Sequence, residues 1–257
     1  MGCCEFRELQ RFEMSRAVHG SEAASKGYET DSTHSRLSDF TQNFEVVRSC
    51  FDVTSGKLRQ IEDYTHEAIK DSEWVSHIEK PDFAIRTRPR TIYGAEVPAS
   101  LALIDFRSAL PAEALVSKLV EPEARTAWDK SIERMDLICG VPTQTSTLRI
   151  IKKYPFVCRE FIVEATVSTL GKTTTVVMHS ISYPESQINQ SLVRGEVLFV
   201  VYKIIETSST TLLMCMQQVD NKSGISKLFA TLMASELTQW VYSLKKACKG
   251  IQERPGK

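Results

Sequence analysis

The sequence carries no CxxC, no HExxH and no GxSxG. The usual signatures of a dithiol or zinc site, a metalloprotease and a serine hydrolase are therefore missing. Histidine is scarce: His19, His34, His66, His77 and His179 show no metal-ligand spacing. His179 and Ser180, adjacent on a strand-like stretch, point to opposite faces and make no simple dyad. There is no net charge, since 32 Lys plus Arg balance 32 Asp plus Glu. A broad basic surface is excluded on that ground, and no nucleic-acid partner is expected. No apolar run approaches the roughly 18 residues that span a bilayer. The N-terminus is polar almost from the start, so no signal peptide is read. Internal repeats and collagen-like or Gln/Asn-rich tracts are also lacking. The seven cysteines form an odd count. Cys139, Cys158, Cys215 and Cys248 lie in apolar or strand-like context and read as small reduced core residues, which favours a cytoplasmic, reducing compartment. No metal and no cofactor is expected.

What the chain does have is ordinary globular composition, 42% hydrophobic and 25% charged over 257 residues, enough for one large domain with an appendage. Residues 1–38 are poor in aliphatic side chains and read as a disordered arm, because they cannot offset their ordering entropy. The domain is expected over 39–253. Phe40, Phe44, Val47 and Phe51 repeat at helical spacing, and Ser55 reads as the N-cap of a helix bearing Leu58, Ile61, Ala68 and Ile69. The period then changes: EWVSHIEK, FAIRTRP and SLALIDFRS read as three strands. Pro111 and Pro122 each open a short helix, proline being suited to a first helical position. STLRIIKK, REFIVEATVS, TTTVVMHSIS, VLFVVYKIIET and TTLLMCMQQV follow as strands with short connections, which argues for an antiparallel sheet. A helix from about residue 223 to 249 ends the chain, with an apolar stripe of Ile225, Leu228, Phe229, Leu232, Leu237, Trp240, Val241 and Leu244. The stripe is broad for packing on a flat sheet. A curved sheet wrapped around this helix would use most of it and leave a hollow.

In the second short helix, EARTAWDKS sets Arg125 and Asp129 four residues apart, on one face. The cation precedes the acid, the weaker order against the helix macrodipole. Such a pair is either a solvated surface contact or is held inside for a reason beyond helix stability.

This order of elements resembles the START (steroidogenic acute regulatory-related lipid transfer) family. SEWVSHIEKPDFAIRTRP is similar to its opening strands, RTAWD to its most recognisable motif, and YPFVCREF to its next strand entry. HSISYPES with LVRGEV, including Arg194, and VDNKSGISKLFATLM resemble the landmarks that follow. The resemblance covers about residues 56–250 and implies an α+β helix-grip fold: a curved antiparallel β-sheet around a long C-terminal α-helix, enclosing a lipid cavity. It implies that Arg125 and Asp129 face that cavity and that Trp128 is core. The positions of an aromatic cage for choline fall on Ile150, Phe161 and Leu198, with Val200 and Leu119 close by; only Phe161 is aromatic, so a choline headgroup is not expected. A sterol-type Glu–Arg pair falls on Ser146 and Ala165 and is absent. A lipid with a small polar end, or a fatty acid whose carboxylate meets Arg125, suits what remains.

The expected function is therefore to bind one lipid and transfer it between membranes, as a monomer without catalytic activity. A membrane-anchored lipid sensor and a helix-grip enzyme are the alternatives. Lys152, Lys153, Tyr154 and Phe156, in KKYPFVC, are expected to touch the membrane beside a door; the other reading is that YPF packs as a turn. Gly2, Cys3 and Cys4 are candidate acylation sites, although Phe6 stands where the myristoylation pattern wants Ser or Thr.

Overall fold

The computed structural model describes residues 56–70, 73–88, 97–154, 157–184, 192–222 and 229–252. Gly2, Cys3, Cys4, the stripe over 40–51, Ser55 and Phe156 lie outside these residues. In chain order the elements are α1 (Gly56–Ile69), β1 (Val75–Lys80), β2 (Phe83–Arg88), β3 (Ala99–Asp105), α2 (Ala112–Val120), α3 (Pro122–Thr126), β4 (Ile132–Gly140), β5 (Thr145–Tyr154), β6 (Val157–Leu170), β7 (Thr173–Ser180), β8 (Val193–Arg194), β9 (Glu196–Glu206), β10 (Thr211–Asp220) and α4 (Phe229–Gln252). The strands form one open sheet in the order β1-β2-β3-β10-β9-β7-β6-β5-β4. Every pairing along that path is antiparallel, and β8 joins β6 in parallel.

Two hydrophobic clusters explain the sequence pattern. On the inner face, Ile85, Ala102, Cys215, Tyr202 and Val176 pack with α2 and with Leu237, Val241, Leu244 and Cys248 of α4. On the outer face, Leu58, Ile61, Tyr64 and Ala68 of α1 cover Leu101, Leu103, Met214, Phe199 and Val201. The central strands are thus buried on both sides, which is why VLFVVYKII reads as a near-continuous apolar run instead of alternating. Trp74 Nε1 donates to the Ala68 carbonyl (2.7 Å) and ties the end of α1 to the sheet. Lys245 of α4 meets Asp82 beside β2.

Several expectations are corrected in detail. Helix α2 begins at Ala112, with Pro111 as its extended N-cap. Leu232 is 47% exposed and leaves the buried stripe of α4. Strand β4 was not read from the sequence: it is an edge strand on which only Met135 is buried, so polar residues interrupt its pattern. Two register shifts twist it, as edge strands often are. Cys139 lies on this edge and is exposed, and Cys158 is half-buried. Burial pushes the Cys215 thiol up to about 12 and the Cys248 thiol up to about 11, so both stay protonated. Gly140 closes the β4–β5 turn at φ 86°, in the left-handed region.

Candidate functional site

The site is built where α3 meets the inner face of the sheet and α4. Pro122 occupies the first turn of α3. The Asp129 amide donates to the Arg125 carbonyl (3.0 Å), so helical spacing continues one turn past the helix and stacks the two side chains. Arg125 donates to Asp129 Oδ2 through Nε (3.0 Å), and its Nη2 lies 2.7 Å from the same oxygen as an ion pair. Asp129 Oδ1 accepts from Ser131 N (3.1 Å) and Oγ (2.7 Å). Asp129 is only 4% exposed, and Arg125 is buried too, so this is an internal pair and not a surface one. Burial alone pushes the Asp129 carboxyl up; Arg125, Ser131 and Lys152 outweigh it and hold the carboxyl below its usual range.

Aromatic rings complete the setting. The Arg125 guanidinium lies 4.7 Å from the Trp128 ring centroid and 5.6 Å from that of Trp240 on α4. Trp240 stacks on Tyr202 of β9 (6.0 Å, 15°). Among the described residues Arg125 Nη1 has only long contacts, 3.4 Å to the Leu119 carbonyl and 3.4 Å to the Tyr202 hydroxyl. Nη1 is thus the least satisfied donor of the guanidinium. The weak helical order of the pair is immaterial here, because tertiary contacts fix both side chains.

Ile150 and Phe161 are cross-strand partners on the inner face, and Val200 and Leu119 lie in the same core. Gly195 permits the Phe161 ring: a Cβ there would stand 2.7 Å from Phe161 Cζ and closer still to Cε1. Leu198 is corrected. The β9–β10 register slips between Gln218 and Val219, leaving Leu198 as an extra residue that packs against the outer cluster. Ser146 and Ala165 face each other across β5 and β6, and Ser146 Oγ has no hydrogen-bond partner among the described residues.

The expected membrane-contact residues separate. Tyr154 packs against the inner core, and Lys152, two residues before it, shares that face; Lys153 is exposed on the other. Lys152 Nζ lies 3.6 Å from Glu236 of α4 and 5.0 Å from the Tyr154 ring centroid. The interior placement of Lys152, and the roles of Tyr202, Trp240 and Glu236, escaped the sequence reading. Counting by twos from Val200 and Ile150 would have found Tyr202 and Lys152. Arg194, a sequence landmark, has a structural role: it and Arg149 flank the fully buried Glu160 (2.8 and 2.6 Å) and hold β8 to the sheet. Among the described residues no three His, Cys, Asp or Glu side chains are grouped to share a metal ion. No described helix is long and apolar enough to cross a membrane.

By sequence, no family model and no curated protein matches the chain. By structure it is similar to human STARD10, at 16% identity and TM-score 0.65, over 79% of this chain and 82% of that one. Human StAR-related lipid transfer protein 5 matches at 14% identity and TM-score 0.65, over 86% and 100%. The lipid transfer and protein localization domain of human StarD13 matches at 19% identity and TM-score 0.58, over 75% and 96%.

Proposed function

We propose, from the premise that this chain has the START-domain fold, that it takes up one lipid between the inner face of the sheet and α4 and carries it between membranes. The observation that carries the reading is the buried Arg125–Asp129 pair, set among Trp128, Tyr202 and Trp240 with Nη1 poorly satisfied. A buried ion pair is often no more stabilising than apolar residues of the same volume. Its retention inside an apolar core is accounted for by a guest whose polar end it orients. The neighbours named for lipid transfer share the fold.

Energetics favour a carrier over a sink. Each buried CH₂ is worth about 0.8 kcal/mol, so an acyl chain gains on the order of 10 kcal/mol on leaving water. A bilayer offers nearly the same, and the net difference between membrane and protein is small. The door is the β5–β6 turn, whose flanks Lys153 and Val157 are exposed, together with α4, which exposes Leu232. Phe156, between β5 and β6 in sequence, would meet the membrane. Acylation at Gly2, Cys3 and Cys4 would add an anchor, since two chains hold where one is marginal. The chain acts by binding: Asp129 is ionised and fully hydrogen-bonded, which makes it a poor proton donor near neutral pH.

The test is native mass spectrometry of the full chain purified from cells, paired with transfer between donor and acceptor liposomes. A single co-purified lipid and protein-dependent transfer are expected. A chain that never carries lipid and never accelerates transfer overturns the proposal.

A further inference from the structure

The interior holds more positive charge than its own carboxylates balance. Lys152 and Arg159 are direct cross-strand partners on β5 and β6, in a register that runs unbroken to the inward pair Ile150 and Phe161. Like charges directly opposite on one face are destabilising unless something answers them. Arg159 is buried. It donates to the carbonyls of Asn221 (2.6 Å) and Cys158 (3.1 Å), and no carboxylate pairs with it among the described residues. Lys152, 27% exposed at its side chain, approaches Glu236 at 3.6 Å and lies in the field of Asp129, and it donates no hydrogen bond among the described residues. Glu236 sits at the rim, 38% exposed. Arg125 adds a third cation, and Asp129, saturated by Arg125 and Ser131, is the one buried carboxylate of the group. Three cations thus face one committed acid and one loosely held acid at the rim.

We propose that this cluster is an anion subsite, and that the lipid is an acyl chain bearing a carboxylate or phosphate, received by Arg125 Nη1 and Lys152 Nζ within the field of Arg159. Glu236 is the placeholder. In the empty protein it partly neutralises Lys152, and the incoming acid displaces it and loosens one contact between β5 and α4. Lys152 changes role from a surface lysine that meets headgroups outside to a specificity-determining residue inside. A neutral or zwitterionic head leaves the lysine unpaired or brings its own cation beside it, and binds less well. This rests on the proposed lipid-carrying function and narrows its ligand.

The experiment measures binding of oleate, lysophosphatidate, lysophosphatidylcholine and monoolein to the full-length chain, by native mass spectrometry and by displacement of a fluorescent acyl probe. The wild type is expected to prefer the two anionic lipids. Lys152→Gln should lose about tenfold on them, the worth of one charge-assisted contact, while keeping monoolein. Lys152→Arg should restore the preference. Glu236→Gln should tighten anionic binding several-fold, since the competitor is gone. Retained monoolein binding shows that Lys152→Gln is folded. The ratio of oleate to lysophosphatidate tells a carboxylate ligand from a phosphate one within the same proposal. A wild type that binds all four lipids equally, or a Lys152→Gln variant with unchanged preference, overturns the anion subsite and leaves lipid binding standing. A chain that binds none of them overturns both.

Discussion

Replacing Asp129 by alanine tests the centre of the site. The carboxylate is 4% exposed, accepts three hydrogen bonds, one from Arg125 and two from Ser131, and has Arg125 Nη2 in ion-pair contact as well. Its removal leaves a guanidinium buried beside two tryptophan rings with only its 3.4 Å contacts. Breaking a buried pair from one side costs about 3–5 kcal/mol, because an unanswered charge stays inside. For a domain of this size that is a fall in Tm of roughly 10 °C. Removing both charges, as in Arg125→Met with Asp129→Leu, should recover most of that loss, since the desolvation of both ions disappears. The two variants separate stability from recognition: the double variant is expected to melt near the wild type and still fail to retain lipid. Urea titration and thermal melting give the first quantity, native mass spectrometry the second. The pH dependence carries a sign. The Asp129 carboxyl is held below its ordinary value, so its stabilising share is complete above about pH 4 and is lost as pH falls through the depressed value. Asp129→Asn should flatten that acid limb. An Asp129→Ala protein within about 1 kcal/mol of the wild type would refute the reasoning, because the pair would then be effectively solvated.

Three further outcomes follow from particular contacts. Gly195→Ala drives a methyl group into the Phe161 ring, which must shift against a full core; a loss of about 1–3 kcal/mol is expected in urea unfolding, and an unchanged midpoint would mean that the ring moves freely. Ser100 Oγ is fully buried and has no hydrogen-bond partner among the described residues. Ser100→Ala should therefore be neutral or stabilising by up to about 1 kcal/mol, and a clear loss of stability would reveal an ordered water or guest bonded to it. Lys153→Ala and Phe156→Ala should slow transfer between anionic liposomes several-fold without changing the lipid bound at equilibrium. Wild-type rates in both would place the door elsewhere.

The fold was legible because its elements announce themselves by period and punctuation. The stretch VLFVVYKII, rich in Val, Ile and Phe, reads as a strand, and the Pro111 and Pro122 starts bracket the two short helices to within a residue. Strand β4 was hidden by the same logic: at an edge, with one buried residue, it has no period to read. The Arg125–Asp129 pair stood out in sequence, but whether it lay inside or outside could not be settled from spacing four apart, which is identical in both cases. The remaining errors have two causes, and the first is that burial of a strand residue depends on parity, which survives only until the first bulge. Leu198 lies beyond such a slip and packs outward. Lys152 has no slip between it and Ile150, so its inward position was available by counting. Charge obscured it, because a Lys-Lys pair beside a Tyr-Pro-Phe turn invites a membrane reading for both lysines. The sheet assigns them to opposite faces, and only Lys153 is left exposed to meet a headgroup from outside. A β5 shifted by one residue would exchange their roles. A double-mutant cycle between Lys152 and Glu236 therefore tests the register as well as the chemistry: coupling there, and none between Lys153 and Glu236, is what the observed pairing requires.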